Sequence, residues 1–314
     1  MMTSCHSTVN FAMMTGDESL GSLTKVTDAD EPVVDPFGGN DGKNLFFTCY
    51  EKGGYTNIYK KENAFQAAIT QKTSGLNHHE EPTYCAATDK IAFSCRNEGN
   101  STSDIFMMNN RKGTTLQSVT ESTDAFEHNP CFTSNGEIIV YDKIMYSLWK
   151  KIKWKSIFGN DEFLVVRDSE IWSKNLKTGE NALIAKGYQP MISPDDSKIV
   201  YVKYSNDAKS SSIWIMDLDG SNQVQVTDAK KGYAMDPCWS PDGTRIIFAS
   251  YKKDKKDFDL YVVNVDGDRL TQLTKNKSTD RQPYWTSDNY IYFTSDRGGK
   301  QGLFQIWRFK LNDL

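Results

Sequence analysis

The sequence has no long hydrophobic run. Its longest unbroken apolar stretches, such as Ile138 to Tyr141 and Phe163 to Val166, hold four residues. A membrane-spanning helix needs about 20 predominantly apolar residues, so none is expected. Strong charge of one sign is also lacking. The 37 Lys and Arg face 41 Asp and Glu, a net charge of −4, which argues against a dedicated nucleic-acid binder. Gly and Pro, at 21 and 9 of 314 residues, are too few for a fibrous or disordered chain. None of the six cysteines sits in a C-x-x-C pair, so a zinc ribbon is not expected. There is no G-x-S-x-G elbow, no G-x-x-x-x-G-K-[ST] phosphate loop and no H-E-x-x-H. Asp217-x-Asp219-Gly220 opens like a calcium loop but lacks the closing Glu, so it reads as a hairpin turn.

What is present is a repeat. Pro32, Pro82, Pro130, Pro190, Pro237 and Pro283 follow one another at 50, 48, 60, 47 and 46 residues. Each follows a polar residue: Glu31, Glu81, Asn129, Gln189, Asp236 and Gln282. A period of this length calls for a propeller or solenoid. Beyond most of these prolines comes a β-rich run, such as Ile91-Ala92-Phe93 or Ile246-Ile247-Phe248. A second run reads polar, aliphatic, aromatic, as in Asn57-Ile58-Tyr59, Asp259-Leu260-Tyr261 and Gln305-Ile306-Trp307. A third often ends in Thr, as in Val224 to Thr227 and Leu270 to Thr274. Short runs of branched and aromatic residues mean strands. Ser240-Pro241-Asp242-Gly243 supplies a tight reversal between the first and second strands, and Asp219-Gly220 and Asp266-Gly267 mark later hairpins.

Each unit is therefore expected to be a four-stranded antiparallel meander, and the chain an all-β, six-bladed propeller. Too few residues follow Ile306-Trp307 for an outer strand. Leu23 to Ala29 closely matches Val224 to Ala229, so residues 22–27 are expected to complete the last blade and close the ring, removing an open edge. Residues 20–314 then form one domain, behind a flexible tail over 1–19. Cys49, Cys85, Cys95, Cys131 and Cys238 read as small buried residues, since matched positions in different blades are too far apart for disulfides.

The run of proline, aromatic, Ser-Pro-Asp-Gly, Ile-x-Phe, polar-Ile-Tyr/Trp, Asp-Gly and Leu-Thr resembles the TolB-type propeller repeat. Pro237 to Thr274 carries it almost whole; Pro190 to Thr227 and Gln282 to Phe309 are close. The resemblance spans about residues 20–314, without the N-terminal α/β domain of TolB. It implies fold more than function, because such propellers serve as periplasmic scaffolds, as accessory domains of serine peptidases and as metal-dependent sugar lyases.

Two segments stand apart. Met1-Met2-Thr3-Ser4-Cys5 is similar to the end of a bacterial lipoprotein signal, with Cys5 the lipidated residue. The 143–169 interval is longer than its counterparts and carries Trp149-Lys150-Lys151-Ile152-Lys153-Trp154-Lys155, whose alternation suits an extended hairpin. It reads as a loop packed on a neighbouring blade, or as a contact surface for a partner, anionic glycan or headgroup.

The loops leading into the first strands should meet at the channel mouth. They gather His78, His79, Glu80, Glu81, Glu127, His128, Asn129, Gln189, Asp236, Arg281 and Gln282, the candidate ligand-binding residues. His78, His79 and His128 are the only candidates for a divalent metal, since imidazole and carboxylate suit such an ion; their spacing forms no tight motif, and no cofactor is otherwise expected. Charge at the mouth is uneven. Loops 28–31, 78–81 and 121–129 hold eight acids and no Lys or Arg. The opposite loops hold Lys186, Lys230, Lys231, Lys275, Lys277 and Arg281, and the Lys252–Lys256 segment could join them. Such a field orients an approaching partner. The expected function is non-catalytic: a monomeric periplasmic or cell-envelope scaffold, with a possible lipid anchor, engaging a protein, peptide or glycan and no nucleic acid. The alternative is a metal-dependent lyase or hydrolase acting on acidic oligosaccharides.

Overall fold

The computed structural model describes residues 23–38, 44–62, 68–97, 99, 101–111, 114–145, 168–206, 210–228, 232–251, 257–299 and 301–311. Cys5, residue 22, most of the 143–169 insert, Lys230, Lys231 and the Lys252–Lys256 segment lie outside them. Among the described residues there are strands and no helices, hence no helix long and apolar enough to cross a membrane.

Strand β1 (Thr24–Lys25) is followed by two meanders. The first is β2 (Val33–Gly38), β3 (Asn44–Tyr50), β4 (Thr56–Glu62) and β5 (Ile69–Gln71); the second is β6 (His78–Cys85), β7 (Lys90–Arg96), β8 (Asp104–Asn109) and β9 (Gln117–Ser118). One parallel bridge, Thr56 to His78, joins the two. Three separate antiparallel sheets come next: β10 (Ala125–Phe132), β11 (Ile138–Met145), β12 (Glu170–Asn175) and β13 (Asn181–Lys186); β14 (Tyr188–Ile192), β15 (Lys198–Tyr204), β16 (Ser211–Asp217) and β17 (Val224–Gln225); β18 (Tyr233–Trp239), β19 (Arg245–Tyr251), β20 (Phe258–Asn264) and β21 (Thr271–Gln272). The last sheet holds β22 (Asp280–Trp285), β23 (Tyr290–Ser295) and β24 (Gln305–Lys310), and its fourth strand is β1, which pairs Thr24 with Arg308 and Lys25 with Trp307.

The sequence explains the strands. The second strand of each unit is its apolar centre: Phe46 and Phe47, Ile91 to Phe93, Ile139 and Val140, Ile199 to Val202, Ile246 and Ile247, and Ile291 and Phe293 are all within a few per cent of complete burial. Each such side chain contributes about 1.5–3 kcal/mol of apolar transfer. The polar-aliphatic-aromatic motif has a partner in the Thr that ends the outer strand. The Thr hydroxyl accepts the aliphatic residue's N–H in Thr73–Ile58, Thr120–Ile105, Thr227–Ile213, Thr274–Leu260 and Thr27–Ile306, at 2.8–2.9 Å. The Ser-Pro-Asp-Gly turn is a capped loop. Ser240 Oγ donates to Asp242 and accepts the N–H of Arg245, and Gly243 takes a φ of 70°. Cys49, Cys85, Cys95, Cys131 and Cys238 are buried free thiols, as expected.

One expectation needs correction. The first repeat proline is Pro36, not Pro32. A β-bulge interrupts the first strand of every unit, between Val34 and Phe37, Glu80 and Thr83, His128 and Cys131, Tyr188 and Met191, Met235 and Cys238, and Arg281 and Tyr284. Each bulge spans an X-Pro pair in which X has positive φ: Asp35, Glu81, Asn129, Gln189, Asp236 and Gln282, all at 50–56°. Proline has no N–H to give the ladder, so a bulge is where a strand tolerates it. Pro32 precedes the strand, and its carbonyl accepts the N–H of Tyr50.

Candidate functional site

A left-handed backbone at a non-glycine residue costs on the order of 1–3 kcal/mol and persists only where the surroundings fix it. Here a chain of hydrogen bonds fixes it. The N–H of Gln282 is accepted by the Asp236 carboxylate at 3.2 Å, that of Asp236 by the Gln189 side chain at 2.8 Å, and that of Asn129 by Glu81 at 2.9 Å. Gln189 N–H goes to Asp142 at 2.7 Å, which Asn129 also grips through its amide. Glu81 N–H goes to the Thr48 hydroxyl at 3.2 Å. Asp35 N–H goes to the Gln282 amide oxygen at 3.3 Å, and the Gln282 amide nitrogen donates back to the Asp35 carboxylate. Every strained residue is thus held by a side chain of the preceding unit, and the last reaches the first.

The pre-proline residues wall a cavity of about 240 Å³. Glu80, Glu81, Asn129, Gln189, Asp236, Arg281 and Gln282 all line it, together with the six prolines inside the bulges. They are strand residues, not loop residues as expected, because β6, β10 and β22 begin ahead of the bulge. Asp35, Tyr50, Tyr188 and Thr294 also line the cavity, and the sequence did not single them out. Asp35 could have been found by aligning Asp35-Pro36 with the other pre-proline pairs.

The histidines do not gather. His79 is fully buried, 3.2 Å from Asn57 Oδ1 and edge-on to Phe93; burial drives it down to about 4, so it stays neutral. His78 lies beside Tyr55, and burial lowers it. Glu127 is buried near Lys143 at 3.4 Å and outside the cavity wall. Only His128 reaches the pre-proline network, 3.1 Å from Glu81. Burial opposes its charge, but Glu81, Asp142 and Glu80 outweigh that and lift it to about 9. Among the described residues no three His, Cys, Asp or Glu side chains converge closely enough to hold a metal ion, so His78, His79 and His128 do not form a ligand set.

The wall is electrically divided. Burial, then the charges of Glu81 and Glu80, push Asp35 up to about 8. Burial and Glu81 also raise Glu80. Behind the wall, burial raises Asp142 to about 7. Glu81 runs the other way: burial would raise it, but the charge and hydrogen bond of His128 bring it below the usual carboxylate range. Across the cavity Arg281 binds Asp236 at 3.0 Å and lies over Phe258.

Residues 166–313 match the family model described as TolB beta propeller domain. The matched stretch carries TolB-type propeller repeats. Solved structures share the architecture. A TolB-type protein from Agrobacterium tumefaciens is 17% identical with a TM-score of 0.62, covering 92% of this chain and 97% of its own. An oligogalacturonate lyase from Vibrio parahaemolyticus is 17% identical with a TM-score of 0.60, covering 95% and 96%. TolB from Acinetobacter baumannii is 13% identical with a TM-score of 0.60, covering 88% of this chain and 65% of that longer one. No curated protein matches. At such identities the likeness shows the TolB-type propeller fold, which hosts more than one function.

Proposed function

We propose that residues 20–314 form one six-bladed TolB-type propeller, closed by the N-terminal strand, that acts as a non-catalytic, monomeric binding scaffold of the bacterial cell envelope. It engages a protein, peptide or glycan at the pre-proline cavity. Pairing of β1 with β24 supports the closure. The hydrogen-bond chain through the pre-proline residues carries the binding reading. Their side chains are committed to holding neighbouring strands, which suits a rigid cradle better than a set of groups that must exchange protons or ligands during turnover. Rigid polar walls with prolines between them bind a ligand at low conformational cost. The envelope location rests on the likeness to TolB.

The test is capture from a bacterial envelope extract, with Glu80→Arg as the comparison. A partner held by the wild-type chain and released by the variant supports the reading. Cleavage of oligogalacturonate by the purified chain on addition of manganese would replace it with the lyase alternative.

A further inference from the structure

The geometry points to a site for a primary ammonium group on an alkyl stem, held in the pre-proline cavity between Asp35, Glu80 and Thr294. This deepens the proposed binding role and rests on it. The first observation is charge. Glu81 is paired with His128, and Asp236 with Arg281. Among the described residues neither Asp35 nor Glu80 has a cation within ion-pair reach, although both line the cavity. His128 and Arg96 act on Glu80 only as nearby charges. Asp35 stays well above the ordinary carboxylate range, first because it is buried and then because the charges of Glu81 and Glu80 repel its own. A guest cation would relieve that repulsion.

The second observation is a hydroxyl. Thr294 is 2% exposed and lines the same cavity, and among the described residues its Oγ1 has no hydrogen-bond partner. Its counterparts in the first three units are occupied: Thr48 and Ser94 bind Glu81, and Asp142 binds Gln189 and Asn129. A buried hydroxyl left unpaired costs about 1–3 kcal/mol, so Thr294 calls for a partner from outside the chain.

The type of cation follows from the acceptors. The Asp35 carboxylate already takes the Gln282 amide and a hydrogen bond from the Thr48 hydroxyl, and one Glu80 oxygen takes the Thr56 hydroxyl at 3.1 Å. Neither carboxylate therefore offers the free pair of oxygens that a guanidinium fork matches best. Three single acceptors on three strands, β2, β6 and β23, suit the three N–H bonds of an ammonium. Prolines and Tyr50 in the wall suit an apolar stem. Metal is disfavoured because, among the described residues, no three ligating side chains converge.

The ammonium can come from a lysine of the docked partner or from a free diamine. Titration calorimetry of the full chain with pentylamine, Nα-acetyl-lysine methylamide and 1,5-diaminopentane distinguishes them. We expect saturable binding of one amine per chain, weakened about tenfold or more by Asp35→Asn and by Glu80→Gln. Glu31→Gln, outside the cavity, should bind as wild type. A lysine amide that binds at least as well as the diamine assigns the site to a partner's side chain; a tighter diamine assigns it to the free molecule. Thr294→Val, nearly isosteric, weakens binding without disturbing the hydrogen-bond chain, and serves if Asp35→Asn melts early. Absence of saturable heat with all three amines overturns the inference, as does equal affinity in every variant, or calcium binding that the same variants abolish. Envelope capture read in parallel separates the two claims: amine failure with capture intact sinks this inference alone, and loss of both sinks the scaffold reading as well.

Discussion

The hydroxyl of Thr27 accepts the backbone N–H of Ile306 at 2.9 Å, across 279 residues of sequence. Thr27 also donates to Gln305 at 3.0 Å. Thr73, Thr120, Thr227 and Thr274 do the same for Ile58, Ile105, Ile213 and Leu260 in other sheets. The N-terminal segment is thus treated by the last sheet as its own outer strand. Thr27→Val should cost about 1–3 kcal/mol, because a buried N–H loses its acceptor. Thr227→Val, whose partner Ile213 sits in an internal sheet, should cost a similar amount. Urea unfolding of the two variants checks this, and a silent Thr27→Val would mean that the first strand adds little to the last sheet.

Much of this was legible because one repeat is written in one dimension. Proline spacing, the polar-aliphatic-aromatic run and the terminal Thr each mark a fixed place in a strand. The misreadings have physical causes. Pro32 and Pro36 both follow an acid, and only the strand bulge shows which of them sits in the ladder. His78 and His79 are neighbours in sequence, but successive strand residues face opposite sides, so one is sealed in the core and the other is not. Thr294 gives no signal, since a lone Thr in a strand is ordinary until its neighbours are known. Cys5 and the tryptophan-lysine insert fall outside the described residues.

Alkaline pH should loosen the acid side of the cavity. His128 has a folded pKa of about 9, above its ordinary 6.5. Its contribution is complete below pH 6.5 and is lost as pH rises through about 9. Asp35 adds to the trend. Its folded value of about 8 exceeds the ordinary 3.8, so the folded state holds the proton more tightly and stability erodes between those values as pH rises. Asp35→Asn should flatten the erosion between pH 4 and 8, measured as the urea midpoint against pH. An unchanged slope in that variant would show that Asp35 ionises as it would in water.

Acid pH acts through His79. Burial lowers it to about 4 in the folded state, against an ordinary 6.5. Here the unfolded chain binds the proton more readily, so stability should fall as pH drops from 6.5 towards 4. His79→Gln keeps a polar group beside Asn57 and cannot be protonated in this range. The acid limb of the stability profile should be shallower in this variant, whatever its stability at neutral pH; a limb of unaltered steepness would assign the loss to other groups.

Asp280 and Arg297 form an ion pair at 2.5 Å with both side chains fully buried. Ser295 donates to Asp280, and the guanidinium of Arg297 lies over Phe293. Removing one charge leaves the other buried without its counter-charge, so Asp280→Ala should cost about 3–5 kcal/mol. The pair itself is a weak source of stability, because desolvation offsets its attraction. Replacing both partners, as in Asp280→Leu with Arg297→Met, should therefore cost less than Asp280→Ala alone. A double-mutant cycle in urea measures the difference. Additive losses would mean that water reaches the pair and that the aromatic wall around it is not closed.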